Sequence, residues 1–167
     1  MASAVFASGV PGTDMPLQAP NVVPISPRLV TSGQPTGESL SHLAAQGFGA
    51  VIYLASPTAP TAVPGEADII RRQGLDFVNI PIKSGKPTTA DFRAFVAAMN
   101  KFRNRKVLVH CQANQRASSM TFLYRVIVEH ENPETAFDAV AQVWSPDGSW
   151  KRLIITQLRQ AKIDFEP

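Results

Sequence analysis

The chain has 167 residues, 44% of them hydrophobic, and a formal net charge of +3, values that suit one domain with a real core. It lacks any Lys/Arg block, any interleaving of basic and aromatic residues, and any apolar run of roughly 18 residues, so neither nucleic-acid binding nor a membrane-spanning helix has support. A single cysteine excludes an internal disulfide framework.

Six of the fourteen prolines fall within residues 1–35, where helical periodicity is weak, so this segment reads as an extended arm or loop. Residues 1–20 are assigned to the Pro-rich arm and 21–167 to the folded domain. Residues 1–7 lack the charged start and long apolar centre of a signal peptide. The cytoplasm is the expected compartment, with the periplasm or secretion as the alternative if a leader has been removed.

Residues 28–31 read as a first strand, followed by the turn sequence Ser32-Gly33-Gln34-Pro35. A helix is predicted over 38–46, with Leu40, Leu43 and Ala44 on one face and Gly47 as its stop. The apolar run 50–54 suits a strand covered on both faces. After a proline-rich loop, a short helix over 66–73 ends at Gly74, and 77–82 form the next strand. Beyond the loop Lys83 to Pro87, Thr88 or Thr89 caps a helix whose buried face is Phe92, Phe95, Val96, Met99 and Phe102. Residues 107–109 are a strand, 116–131 a helix apolar nearly all round, and 134–143 and 150–162 two final helices. Strands alternating with helices predict an α/β fold: a single domain with a largely parallel central sheet of about four or five strands and helices on both faces. Ligands of such sheets bind at the carboxyl ends of the strands.

Cys111 occupies that kind of position, between a β-branched strand and an apolar helix. A strand–loop–helix junction aims several backbone N–H groups and a positive helix end at one spot, which suits an anion and favours a thiolate. Arg116 adds a planar fork of donors matched to two oxygens of a tetrahedral oxyanion. As a cation in the first turn of a helix it opposes the dipole unless an anion is bound. Gln112, Ala113, Asn114, Gln115, Arg116 and Ala117 are the candidate phosphate-binding residues. Asn114 stands where a tight nest needs positive φ, which asparagine tolerates. His110 either stabilises the thiolate or orders the strand end, and Ser118 is the candidate helper for thiolate departure. No metal or cofactor is expected.

The His110-Cys111 pair, the loop ending in Arg116 and the apolar helix after it resemble the cysteine-dependent protein tyrosine and dual-specificity phosphatases. With the Ser32-Gly33-Gln34-Pro35 turn, the pattern looks like the bacterial dual-specificity-phosphatase-like family sometimes fused to β-lactamase-like hydrolases. The resemblance implies a phosphatase-like fold over roughly residues 25–160. It also implies thiolate attack on phosphorus with an aspartic acid protonating the leaving oxygen, then hydrolysis of the cysteinyl phosphate. Its substrates would be a phosphorylated protein, with phosphotyrosine favoured, or a small aryl phosphate. This sequence departs from the usual family pattern in three ways. Four residues rather than five separate Cys111 from Arg116, Ala117 replaces the usual hydroxyl, and the loop that normally carries the acid reads Lys83-Ser84-Gly85-Lys86-Pro87 with no carboxylate.

Asp147 and Asp91 are the leading candidates for the acid, followed by Glu66 and Asp68; each also suits a helix start or cap. Without a firmly placed acid, aryl phosphates are favoured, because a phenolic leaving group needs protonation less. Lys83 and Lys86 are placed to attract a phosphorylated ligand. The absence of lysine between Cys111 and Arg116 counts against an inositol lipid. Two alternatives stand beside the phosphatase: a rhodanese-like sulfurtransferase, whose catalytic cysteine sits on a similarly short strand-to-helix loop, and a non-catalytic phosphate-binding module. The latter would need only the arginine and the backbone nest.

Overall fold

A computed structural model describes residues 16–167. Five strands form one sheet: β1 (Val23–Ser26), β2 (Leu29–Ser32), β3 (Phe48–Tyr53), β4 (Asp76–Asn79) and β5 (Lys106–His110). Their order is β1-β2-β5-β3-β4, with β1 antiparallel to β2 and every other pairing parallel. The helices are α1 (Gly37–Ser41), α2 (Glu66–Arg72), α3 (Thr89–Lys101), α4 (Gln115–Ile127), α5 (Pro133–Ala141) and α6 (Gly148–Gln160). The predicted fold class and sheet are borne out.

β5 lies in the centre because it is apolar on both faces. Val107 and Val109 point into a large cluster with Phe92, Phe95, Met120, Leu123 and Ile154, beneath α3, α4 and α6. Leu108 points the other way, into a smaller cluster with Leu40, Val51 and Ile70 beneath α1 and α2. The parallel register sets Ser32, Tyr53 and His110 side by side at the carboxyl end of the sheet. Whatever follows His110 is thereby placed on the site predicted for ligands.

The structure corrects several boundaries. β1 falls inside the segment read as loop; Pro24 is tolerated there because β1 is an edge strand with a register shift beside that proline. The helix predicted over 38–46 breaks: α1 ends at Ser41, His42 turns its Nδ1 to the Glu38 carbonyl at 2.8 Å, and a 3-10 turn covers Ala44–Gln46. β4 stops at Asn79, although the Ile80 and Ile82 N–H groups still reach the Tyr53 and Leu54 carbonyls at 2.8 and 3.0 Å. Most of the predicted arm, residues 1–15, lies outside the described residues. Its described end is tied down: Leu17 packs on the smaller cluster, the Gln18 N–H donates to Ser39 Oγ at 2.8 Å, and the Gly33 N–H donates to the Pro20 carbonyl at 2.7 Å.

Candidate active site

The loop from Cys111 to Arg116 is shaped from outside. The Gln112 carbonyl accepts the Gln34 N–H at 3.0 Å, and the Ala113 carbonyl accepts Asn21 Nδ2 at 3.0 Å. In a trans peptide the N–H points opposite the C=O, so the N–H groups of Ala113 and Asn114 turn away from these outer partners. Asn114 takes φ +70°, the left-handed conformation expected of it, and caps the start of α4 by position. Its side chain is buried and donates to the Asn21 carbonyl at 2.7 Å and to Thr31 Oγ1 at 3.1 Å. An asparagine here supplies both the backbone conformation and the anchor, which a glycine would not.

The Ser32-Gly33-Gln34-Pro35 turn supports this loop. Gly33 bridges to Ala113, and a Cβ on Gly33 would meet the Gln112 carbonyl oxygen at 2.6 Å and the Pro20 carbonyl oxygen at 3.0 Å. Gly33→Ala should therefore push the loop away, with a loss of about 1–3 kcal/mol by overpacking. Chemical denaturation checks the stability loss, and titration with inorganic phosphate should show weaker binding.

Cys111 is 1% exposed and forms the floor of a cavity of about 480 Å³. Gln112, Ala113, Gln115 and Arg116 line it from the loop, Ser84 and Gly85 from the segment before α3, Trp144 from the connection after α5, and Asp147, Ser149 and Trp150 from the start of α6. The Arg116 guanidinium is held at two points: one terminal nitrogen donates to the Ile82 carbonyl and the other to Gln112 Oε1, both at 2.8 Å. Among the described residues the guanidinium makes no other hydrogen bond, which leaves its remaining donors for a ligand. Trp150 Nε1 donates to the Ser84 carbonyl at 2.7 Å, and Trp144 and Trp150 meet edge to face at 6.5 Å, giving the cavity an aromatic wall.

Among the acid candidates, only Asp147 borders the cavity. It occupies the position before α6, yet its side chain makes no capping hydrogen bond, so the carboxylate is not committed to the helix. Asp91 is committed: it completes a capping box in which its Oδ2 accepts the Thr88 N–H at 2.9 Å and its own N–H donates to Thr88 Oγ1 at 3.1 Å. Asp91 and the exposed Asp68 are absent from the cavity lining. Ser118 is buried with its hydroxyl donating to the Gln115 carbonyl at 3.2 Å, and neither it nor the buried Ala117 lines the cavity.

Glu66 has another place. Its Oε2 meets His110 Nε2 at 2.9 Å, and its Oε1 accepts Gln34 Nε2 at 2.7 Å, with Glu66 only 6% and His110 0% exposed. The His110 ring stacks on Tyr53 with centroids 4.6 Å apart. Burial first, and the Glu66 carboxylate second, push the Tyr53 phenol above its ordinary pKa; its hydroxyl donates to the Ser56 carbonyl at 2.8 Å. His110 is thus gripped on its Nε2 by Glu66 of α2 and on its ring face by Tyr53 of β3, and Gln34 of the Gly33 turn holds the Glu66 carboxylate in place. The sequence presents Glu66 as an acid candidate and as the acidic start of a short helix, and it does not single out Gln34 or Tyr53 for the site. The available signal was a carboxylate opening α2, a position that chain order alone does not connect to a strand end 44 residues later.

A family model described as "DSP-PTPase phosphatase fused to NAD+ Kinase" matches residues 23–153. The DUF442 protein of Shewanella putrefaciens CN-32 is 29% identical, with a TM-score of 0.78 over 86% of this chain and 92% of that one. A beta-lactamase hydrolase-like protein of Xylella fastidiosa (strain Temecula1) is 33% identical over 109 residues, 64% of this chain. That alignment spans 25% of the relative's length. The structure of Tk-PTP in its active form shares the fold, with a TM-score of 0.67 at 18% identity. The family match, a fold shared with phosphatases, and the cysteine loop seated at the carboxyl end of the sheet agree with the resemblance found in the sequence: this chain belongs to the DSP-PTPase family, the dual-specificity type of phosphatase domain.

Proposed function

We propose that the chain hydrolyses phosphate monoesters, with phosphotyrosine and other aryl phosphates favoured, through a phosphorylated Cys111. The observation that carries this reading is the convergence of Cys111, Arg116 and Asp147 on one cavity with an aromatic wall. A bound phosphoryl group would receive the N–H groups of the loop and the free donors of Arg116, which concentrate positive potential where charge develops in the transition state. The Cys111 thiolate attacks phosphorus, the bond from phosphorus to the leaving oxygen breaks, and Asp147 gives that oxygen its proton. In the second step the Asp147 carboxylate takes a proton from water as the water oxygen attacks phosphorus. The S–P bond breaks, inorganic phosphate leaves and the thiolate is restored.

The wall formed by Trp144 and Trp150 supports the aryl preference, since aromatic pairs contribute about 0.5–1.5 kcal/mol beyond the area they bury. The same wall suits a tyrosyl side chain of a phosphorylated protein. The family match favours this chemistry over sulfur transfer.

Release of inorganic phosphate from p-nitrophenyl phosphate tests the reading; transfer of sulfur from thiosulfate to cyanide in its place would overturn it. Asp147→Asn should lower kcat on phenyl phosphate by roughly 10²–10⁴. The loss should be smaller on p-nitrophenyl phosphate, whose leaving group needs less protonation. Asp91→Ala should leave kcat within about twofold while costing about 0.5–2 kcal/mol through the lost half of the capping box. Thermal unfolding together with steady-state kinetics separates these two outcomes.

A further inference from the structure

A second concavity of about 340 Å³ lies beside the cavity over Cys111. The two share Ser149, and both take lining residues from the segment that leads into α3 and from α6. Ser84 and Gly85 face the first cavity, and Lys86, Pro87 and Thr89 face the second. Across the seam, α6 presents Trp150 to the first cavity and Arg152, Leu153 and Thr156 to the second. Two struts hold the seam: Trp150 Nε1 to the Ser84 carbonyl at 2.7 Å near the cysteine, and Gln157 Nε2 to Thr89 Oγ1 at 2.8 Å at the far end.

The chemistry of this groove is one-sided. Lys86 and Arg152 are both exposed, no carboxylate lines the groove, and neither cation takes part in the ion pairs formed among the described residues. The Thr89 and Thr156 hydroxyls and that of Ser149 add neutral hydrogen-bonding capacity beside them. Two cations facing one groove without a counter-charge repel each other, and an anion between them relieves that repulsion. The groove borders the cavity that holds Cys111 at Ser149, so one ligand with two anionic groups can bridge the two.

We propose that the groove lined by Lys86 and Arg152 is a second anion subsite, and that preferred substrates carry a further carboxylate or phosphate beside the scissile phosphate. This rests on the phosphatase reading of the first cavity and names the class of substrate that cavity receives. An acidic side chain next to a phosphotyrosine and the second phosphate of a small aryl bisphosphate share the required chemistry.

The test is calorimetric binding to Cys111→Ser protein, which keeps the loop and the groove. The ligands are a phosphotyrosine peptide flanked by glutamates, the same peptide flanked by alanines, and phenyl phosphate with and without a second phosphate on the ring. The doubly anionic ligand of at least one pair should bind about tenfold more tightly than its partner, as two partly exposed charge contacts imply. The gain should fall to about onefold when Lys86→Ala and Arg152→Ala are added. A gain with the peptide alone identifies an acidic side chain as the source, and a gain with the bisphosphate alone identifies a phosphate. Equal binding within both pairs, or a gain that survives loss of both cations, would overturn the proposal. Failure of the wild-type protein to hydrolyse p-nitrophenyl phosphate would instead count against the catalytic reading, and the binding comparison would still judge the groove.

Discussion

Replacing Cys111 by serine should abolish phosphate release from p-nitrophenyl phosphate, with kcat lower by on the order of 10³–10⁵, the scale of losing the nucleophile of a covalent mechanism. A serine hydroxyl in the same place is nearly isosteric, and the outer partners of the loop do not depend on the sulfur: Gln34 and Asn21 still hold the Gln112 and Ala113 carbonyls. Inorganic phosphate should therefore bind the variant about as well as it binds the wild type. Binding retained with turnover lost separates removal of the nucleophile from collapse of the loop. Arg116→Lys should behave differently. A lysine cannot make two parallel contacts to phosphate while also reaching the Ile82 carbonyl and Gln112 Oε1, so KM and kcat both suffer, kcat by roughly 10²–10³.

Glu66→Ala should be the most destabilising single change in the site. It leaves the fully buried His110 ring and the Gln34 amide without the carboxylate that joins them. Leaving a buried polar group without its partner costs about 1–3 kcal/mol each, a large share of the roughly 5–15 kcal/mol that holds a domain of this kind folded. Glu66→Gln keeps the shape and one acceptor, so its cost should be nearer 1–3 kcal/mol. Urea midpoints rank the two variants. Because His110 immediately precedes Cys111, the folded fraction of Glu66→Gln should also turn over about 10–10² more slowly, since small displacements of a nucleophile are expensive. Unchanged kcat in that variant would show that the Gln34–Glu66–His110 chain supports stability alone.

The parts of the site that were legible in the sequence are those set by neighbours along the chain. The strand–cysteine–helix junction, the positive φ of Asn114 and the place of Asp91 in the first turn of a helix all follow from residues within one turn of each other. The central sheet was legible for the same reason, since strands apolar on both faces such as β3 and β5 have one place to go. The rest depends on long-range register. Glu66 meets His110 only because β3 and β5 pair with Tyr53 opposite His110, which brings the start of α2 over the strand end. The Ser32-Gly33-Gln34-Pro35 turn looked like a family mark, and its physical purpose became visible only in the close approach of Gly33 to the Gln112 carbonyl. Asp147 shares the appearance of a helix cap with Asp91 in the sequence. Tertiary packing separates them, because the Trp150 strut to Ser84 brings the start of α6 against the cysteine loop. β1 escaped notice because Pro24 reads as a strand breaker unless the strand is known to lie at an edge.

The most direct measurement is rapid acid quenching of the wild-type protein and Asp147→Asn during turnover of p-nitrophenyl phosphate, followed by mass spectrometry of the peptide that contains Cys111. The proposed mechanism predicts a phosphoryl group on Cys111, accumulating further in Asp147→Asn because the second step also loses its base. Steady phosphate release with no adduct on Cys111 in either protein, together with undiminished turnover by Cys111→Ser, would contradict it.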